Sequence, residues 1–146
     1  MKQVLSNQSN LEHSNLSVPA FGYELIREEV LSDLLGKNAS QLLYWAGKNL
    51  ARKYPLDSID DIISFFKRAG WGELTIHTLK KNEYEFHLTN QMVTSRMKKN
   101  EEHSFQLEAG FLAQQIQQHK NQLTEAYEQH KKRVNQVIFT VKWDKE

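Results

Sequence analysis

The hydrophobic period of this chain changes within one short stretch, SFFKRAGWGELTI at residues 64–76. Upstream, Ile59, Ile62, Ile63, Phe65, Phe66 and Ala69 cluster on one helical surface that Ser58 is placed to cap. Downstream, from Glu73, the pattern alternates, with Leu74, Ile76 and Thr78 one way and Glu73, Thr75 and His77 the other. Neither pattern suits the other kind of backbone, so helix and sheet must both contribute to the core. Gly70 suits a helix stop, Gly72 a sharp entry into a strand, and Trp71 is pinned at the corner between them.

Three helices are predicted up to that switch. The first spans about Tyr23 to Leu35: Tyr23, Ile26, Val30 and Leu34 form a stripe, Leu31 and Leu35 widen it, and Gly36 ends it. Asn38, with Gln41 three residues on, has the form of a capping box opening the second helix. That helix carries Leu43, Ala46, Leu50 and Tyr54 on one face, with Leu42 and Trp45 well round from it. Gly47 allows close approach by another backbone, and Pro55 ends the helix. The third helix is the one that runs into Gly70.

After the switch, Tyr84, Phe86 and Leu88 alternate against Glu85 and His87 in a second strand. A three-residue loop of Lys80, Lys81 and Asn82, with Asn82 left-handed, sets Ile76 opposite Phe86. Residues 89–103 form an irregular charged connection. A fourth helix follows from Ser104, with Phe105, Ala109, Leu112 and Ile116 on one stripe and Leu107 and Phe111 on another. Apolar on two sides, it is predicted to be a central helix between layers. Beyond it the pattern is two-valued. Leu123, Tyr127, His130 and Val134 continue a helical spacing, yet QLTEAYEQH also fits a strand that turns near KKRVN into the plain strand VIFTVKW.

Composition narrows the function classes. Nineteen basic and eighteen acidic residues leave a net charge of +1, too little to drive the chain onto nucleic acid or an anionic membrane. The absence of cysteine removes disulfides, thiolate metal sites and a cysteine nucleophile, and suits a cytoplasmic protein. No apolar run approaches the roughly 20 residues of a membrane span, and no secretory signal is apparent. At 146 residues, one domain over 19–146 is expected, preceded by an Asn/Ser-rich flexible tail at 1–18.

The segments FFKRAGWGELTI, FQLEAGFLAQQI and QVIFTVKWD together resemble the YslB-like family of Bacillus-type Firmicutes. That family is in turn similar to the 4-vinyl-reductase domain and the small TRAPP subunits of vesicle transport. The resemblance covers about residues 20–146 and implies an α+β fold. Its order is three N-terminal helices, a β-hairpin, a central helix and a second β-hairpin, forming an antiparallel four-stranded sheet packed on helices. It therefore decides for a strand at 122–131, with Asn121 as the helix stop. It further implies a ligand-binding or assembly module, commonly dimeric through its first helices, in which some members hold an apolar ligand between helices and sheet. The acylated or zinc-binding cysteines of some relatives have no counterpart here.

The candidate residues follow. Leu42, Leu43, Trp45, Ala46 and Gly47 are expected at a homodimer interface, because their helix is apolar on two sides. Phe66, Trp71, Leu107, Glu108 and Phe111 are expected around any apolar ligand, where the second stripe of the fourth helix meets the Gly-Trp-Gly corner. Glu108 lies between two apolar stripes, where burial disfavours a charge unless a donor reaches it. His77, Glu85 and His87 make a reachable two-His-one-carboxylate set on the first hairpin, but a solvated polar strand face accounts for them more simply. His103, His119 and His130 are scattered. The basic clusters at 96–99 and 131–133 lack interleaved aromatics, so nucleic-acid binding is not expected. The expectation is a non-catalytic homodimer for an apolar small molecule or a protein partner, with no cofactor and no metal. The alternative is an enzyme using the first hairpin or a cleft around Glu108.

Overall fold

A computed structural model describes residues 11–90 and 105–144. Most of the expected tail, nearly all of the 89–103 connection and the Ser104 helix start lie outside them. Residues 11–19 are a turn and an extended lead-in, where Arg68 donates to Glu12 at 3.0 Å.

The first helix, α1 (residues 20–35), is α-helical over Ala20–Glu24 and Leu31–Leu35 and π-helical over Leu25–Val30. A 3₁₀ turn, Gly36–Asn38, carries it into α2, Ala39–Lys53. The capping box expected at Asn38 does not form. Asn38 continues the 3₁₀ turn at φ −96° and ψ 12°, away from the extended backbone of a capping residue, and its side chain makes no capping hydrogen bond. In α3, Ile59–Arg68, the expected cap is present, with Ser58 Oγ accepting from the Asp61 N–H at 3.1 Å.

The Gly-Trp-Gly corner closes α3 with a paired hydrogen bond. Gly70, at φ +75°, donates to the Lys67 carbonyl at 3.1 Å, and Trp71 donates to that of Phe66 at 2.9 Å. This is the Schellman arrangement, which brings a hydrophobic pair together across it: the Trp71 ring meets Phe66 edge-on at 4.9 Å. Gly72, at φ +136°, then turns into β1, where a Cβ would stand 2.7 Å from the Thr89 carbonyl oxygen. Two glycines bracket the tryptophan because the backbone on either side of it takes conformations that side chains resist.

The strands are β1 (Glu73–Lys80), β2 (Glu83–Thr89), β3 (Thr124–Lys131) and β4 (Gln136–Trp143). Among the described residues they form one antiparallel sheet in the order β1-β2-β4-β3. Ile76 faces Phe86 as expected, but by a different device. The β1–β2 turn is only Lys81 and Asn82, and the residue count is restored by a bulge at His77 between Ile76 and Thr78. Asn82 is not left-handed; it binds the end of β4 instead, taking the Trp143 N–H on its carbonyl at 3.1 Å.

Between the hairpins runs α4, Gln106–Lys120, ended by Asn121 at φ 54°, whose N–H bonds the Gln117 carbonyl at 2.8 Å. Every residue from Glu108 to Ile116 is buried. The sheet covers one side and α2 the other, with α3 contributing Phe65 and Phe66. The α2–α4 crossing is backbone on backbone: a Cβ on Gly47 would overlap the Leu107 carbonyl oxygen, and one on Gly110 that of Tyr44. The close approach that Gly47 permits is therefore to α4 of the same chain, which removes Gly47 from the expected dimer interface. Leu43 and Ala46 are half-buried, while Leu42 and Trp45 face solvent.

Candidate functional site

The helix α1 turns only part of its apolar pattern toward the body of the protein. A four-residue spacing drifts by about 40° per step in an α-helix, and the wider π turn lessens that drift. It keeps Tyr23, Arg27, Leu31 and Leu35 toward the body of the protein, where Arg27 is buried. The predicted packing residues Ile26, Val30 and Leu34 are instead outside, at 61%, 47% and 76% exposure. With Phe21 of α1 and Leu42 and Trp45 of α2, also exposed, they leave apolar surface on both N-terminal helices.

The inward contact of α1 is ionic. Arg27 Nη2 donates to Glu108 Oε1 at 2.5 Å and Nη1 to the Tyr23 hydroxyl at 3.0 Å, with Glu28 at 3.8 Å from Nε. Burial alone would lower the guanidinium pKa. The charge of Glu108, the nearby Tyr23 and the hydrogen bonds Arg27 donates to both outweigh it, so Arg27 is held above its ordinary value. The donor that a buried Glu108 requires is therefore supplied from α1. The sequence gives little sign of this, because an arginine flanked by Glu24 and Glu28 reads as a solvated face.

The other expected ligand residues divide. Phe66, Trp71 and Phe111 come together with Phe65: Phe65 stacks on Phe111 at 4.7 Å, and Trp71 meets Phe111 edge-on at 5.2 Å. Leu107 is half-buried beside the Gly47 crossing, and Glu108 turns to α1. On the first hairpin, the bulge sets Thr78 rather than His77 opposite Glu85. His77 stacks flat on His87 at 3.7 Å, while His87 bonds Glu85 at 2.8 Å and His77 bonds Thr75 at 2.8 Å. Stacked rings do not converge on a common point, and no group of three His, Cys, Asp or Glu with metal-holding geometry occurs among the described residues.

Several polar residues with no evident motif fix the packing. Gln115, fully buried in α4, clasps the bend after α2, donating to the Tyr54 carbonyl at 2.8 Å and accepting from Leu56 N–H at 3.1 Å. Glu128 of β3 accepts from the Phe105 N–H at 3.2 Å and from Gln106 at 2.8 Å, capping α4 from the sheet. Tyr44 of α2 reaches β3, its hydroxyl accepting from the Ala126 N–H at 3.0 Å. Burial chiefly, with Glu125 and Tyr127 nearby adding and the Ala126 bond opposing, raises the Tyr44 pKa. Beside it lies an open cleft of about 680 Å³ between α2 and β3, lined by Ser40, Gln41, Tyr44, Gln106, Glu125 and Tyr127 among others.

The profile of a family described as a protein of unknown function (DUF2507) matches residues 20–142. An uncharacterised protein of Bacillus subtilis (strain 168), YslB, is 52% identical over 129 residues, covering 88% of this chain and 87% of that one. Among solved structures, a vinyl-4-reductase family protein from Methanocaldococcus jannaschii superposes with a TM-score of 0.70 at 19% identity, covering 98% of this chain and 92% of that one. An H-NOX protein from K. algicida, in its Fe(II) unliganded form, does so at 0.57 and 12% identity, covering 99% and 86%. At these identities the two structures establish a shared fold. No helix among the described residues is long and apolar enough to cross a membrane.

Proposed function

The chain belongs to the DUF2507 family, and on that footing we propose that it is a non-catalytic, homodimeric binding module. The observation that carries the proposal is the apolar side that α1 leaves exposed. A surface helix normally turns its apolar side to the core and its charges to water. Here an ion pair faces inward, while Ile26, Val30 and Leu34 of α1 and Trp45 of α2 are exposed. A second copy related by a twofold axis presents the same residues, so the surface is its own complement. The resemblance to domains that dimerise through their first helices supports this choice of partner. The non-catalytic reading draws support from the engagement of Glu108 by Arg27 and from the stacked rather than convergent histidines. A vinyl-4-reductase family protein and an H-NOX protein share the fold, in keeping with a module that binds.

Sedimentation velocity at micromolar concentration tests the dimer. The wild type should sediment at twice the chain mass. Trp45→Glu and Ile26→Glu should each halve that mass while keeping the circular dichroism spectrum. A wild type that sediments as a monomer would overturn the proposal.

A further inference from the structure

We propose that the open cleft between α2 and β3 binds a guanidinium group, with Glu125 as its counter-charge and the Tyr127 ring as its platform. At about 680 Å³ the cleft has the size of a small-molecule site, and its walls are tied together before any ligand arrives. Tyr44 of α2 accepts from the Ala126 N–H of β3 at 3.0 Å, and Gln106 of α4 donates to Glu128 of β3 at 2.8 Å. Such cross-links spare a ligand the cost of ordering the site. Glu125 and Tyr127 lie two residues apart on the exposed side of β3, and both line the cleft. The Tyr127 hydroxyl donates to Glu125 Oε2 at 2.8 Å, which holds the carboxylate beside the ring.

Charge selects a cation. Lys142, the register partner of Glu125 on β4, turns its ammonium to Glu83 at 3.6 Å. Burial first, then Glu125 and Tyr127, raise the Tyr44 pKa against the Ala126 bond, so the phenol stays neutral and Glu125 supplies the negative charge. The Lys48 ammonium lies over the Tyr44 ring at 4.9 Å, while Tyr127 is 53% exposed and offers its own ring to a ligand. Among cations a guanidinium fits best. Its planar fork gives two parallel N–H bonds to a carboxylate, and its flat face stacks on a phenol ring. A carboxylate accepts several donors at once, so the Tyr127 bond does not compete. The rest of the cleft, past Ser40, Gln41 and Gln106, leaves space for the chain that carries the group.

The site is built within one chain. It rests on the reading of the protein as a binding module but not on the dimer, which sedimentation tests separately. Titration of the full chain with n-butylguanidinium, n-butylammonium and n-butylurea, followed by calorimetry and by backbone amide shifts, tests it. Butylguanidinium should bind most tightly, with its shifts centred on Glu125, Ala126 and Tyr127. The neutral butylurea should bind at least about tenfold more weakly. Glu125→Gln keeps the side-chain shape and should weaken butylguanidinium about tenfold, whereas Tyr127→Leu should weaken it about threefold. Raised salt should weaken it too. An unchanged melting temperature separates lost binding from lost fold; if either variant melts early, the urea comparison and the wild-type shifts decide. A blocked Gly-Arg-Gly peptide distinguishes the sources of the group. Tighter binding than butylguanidinium assigns it to an arginine of a partner chain, and weaker binding to a free small molecule. The proposal is overturned if butylguanidinium does not bind, if butylurea binds equally well, if the shifts lie elsewhere, or if a folded Glu125→Gln keeps the wild-type affinity.

Discussion

Trp71 shows how one residue serves two structures: its N–H completes the end of α3, and its indole fills the space between α3 and α4. Trp71→Ala should therefore cost about 3–5 kcal/mol in denaturant titration, as for other large buried aromatics. Gly72→Val should also be strongly destabilising, since its left-handed φ of +136° and the nearby Thr89 oxygen both exclude a branched side chain. This corner was legible in the sequence, because glycine, tryptophan and a change of period coincide within a few residues. Arg27 was not legible, because the carboxylate it meets lies 81 positions away and no local pattern links them. Arg27→Met should cost about 3–5 kcal/mol by leaving Glu108 without its arginine. Arg27→Met combined with Glu108→Leu should recover much of that loss, and a double-mutant cycle in urea measures the coupling.

Among the elements, the α2–α4 crossing is the least tolerant of added bulk. Gly47→Ala or Gly110→Ala forces backbone from backbone, and each should cost at least the roughly 1–3 kcal/mol typical of overpacking. The contact of α2 with β3 adds a dependence on pH. The Tyr44 pKa is raised by burial above its ordinary 10.0, so the folded chain keeps a proton that the unfolded chain has lost. The stability carried by neutral Tyr44 is fully present below about pH 10 and is lost as pH rises through the raised value. Melting temperature should fall with pH above that point, and less steeply in Tyr44→Phe. The order of elements was readable from hydrophobic period together with the family resemblance, which decided for β3 over a longer helix. The orientation of α1 was not, because its stripe identifies an apolar side without saying whether that side meets the core or a partner. The bulge at His77 escaped for a related reason: a loop of three and a loop of two with a bulge give the same partners to Ile76.

At the scale of the whole molecule, α4 serves as the axle. Its aromatic contacts to α3 and its glycine contact to α2 lie on one side, and the sheet lies on the other. Phe111→Trp should destabilise by about 1–3 kcal/mol if those rings are already close-packed. Tolerance of the larger ring, with a small molecule found on the wild type by native mass spectrometry, would instead favour an apolar ligand at Phe66, Trp71 and Phe111. The sheet order has a further consequence for the way the chain is made. β4, the last strand described, lies between β2 and β3, so the sheet stays in two halves until that strand arrives. On a ribosome, the first hairpin and the three N-terminal helices emerge well before the strand that joins them to β3. The nascent chain must hold these parts unsealed, with the inner edge of β2 bare, and close the domain in one late, long-range step. A chain cut before Gln136 should therefore show no cooperative unfolding transition at all.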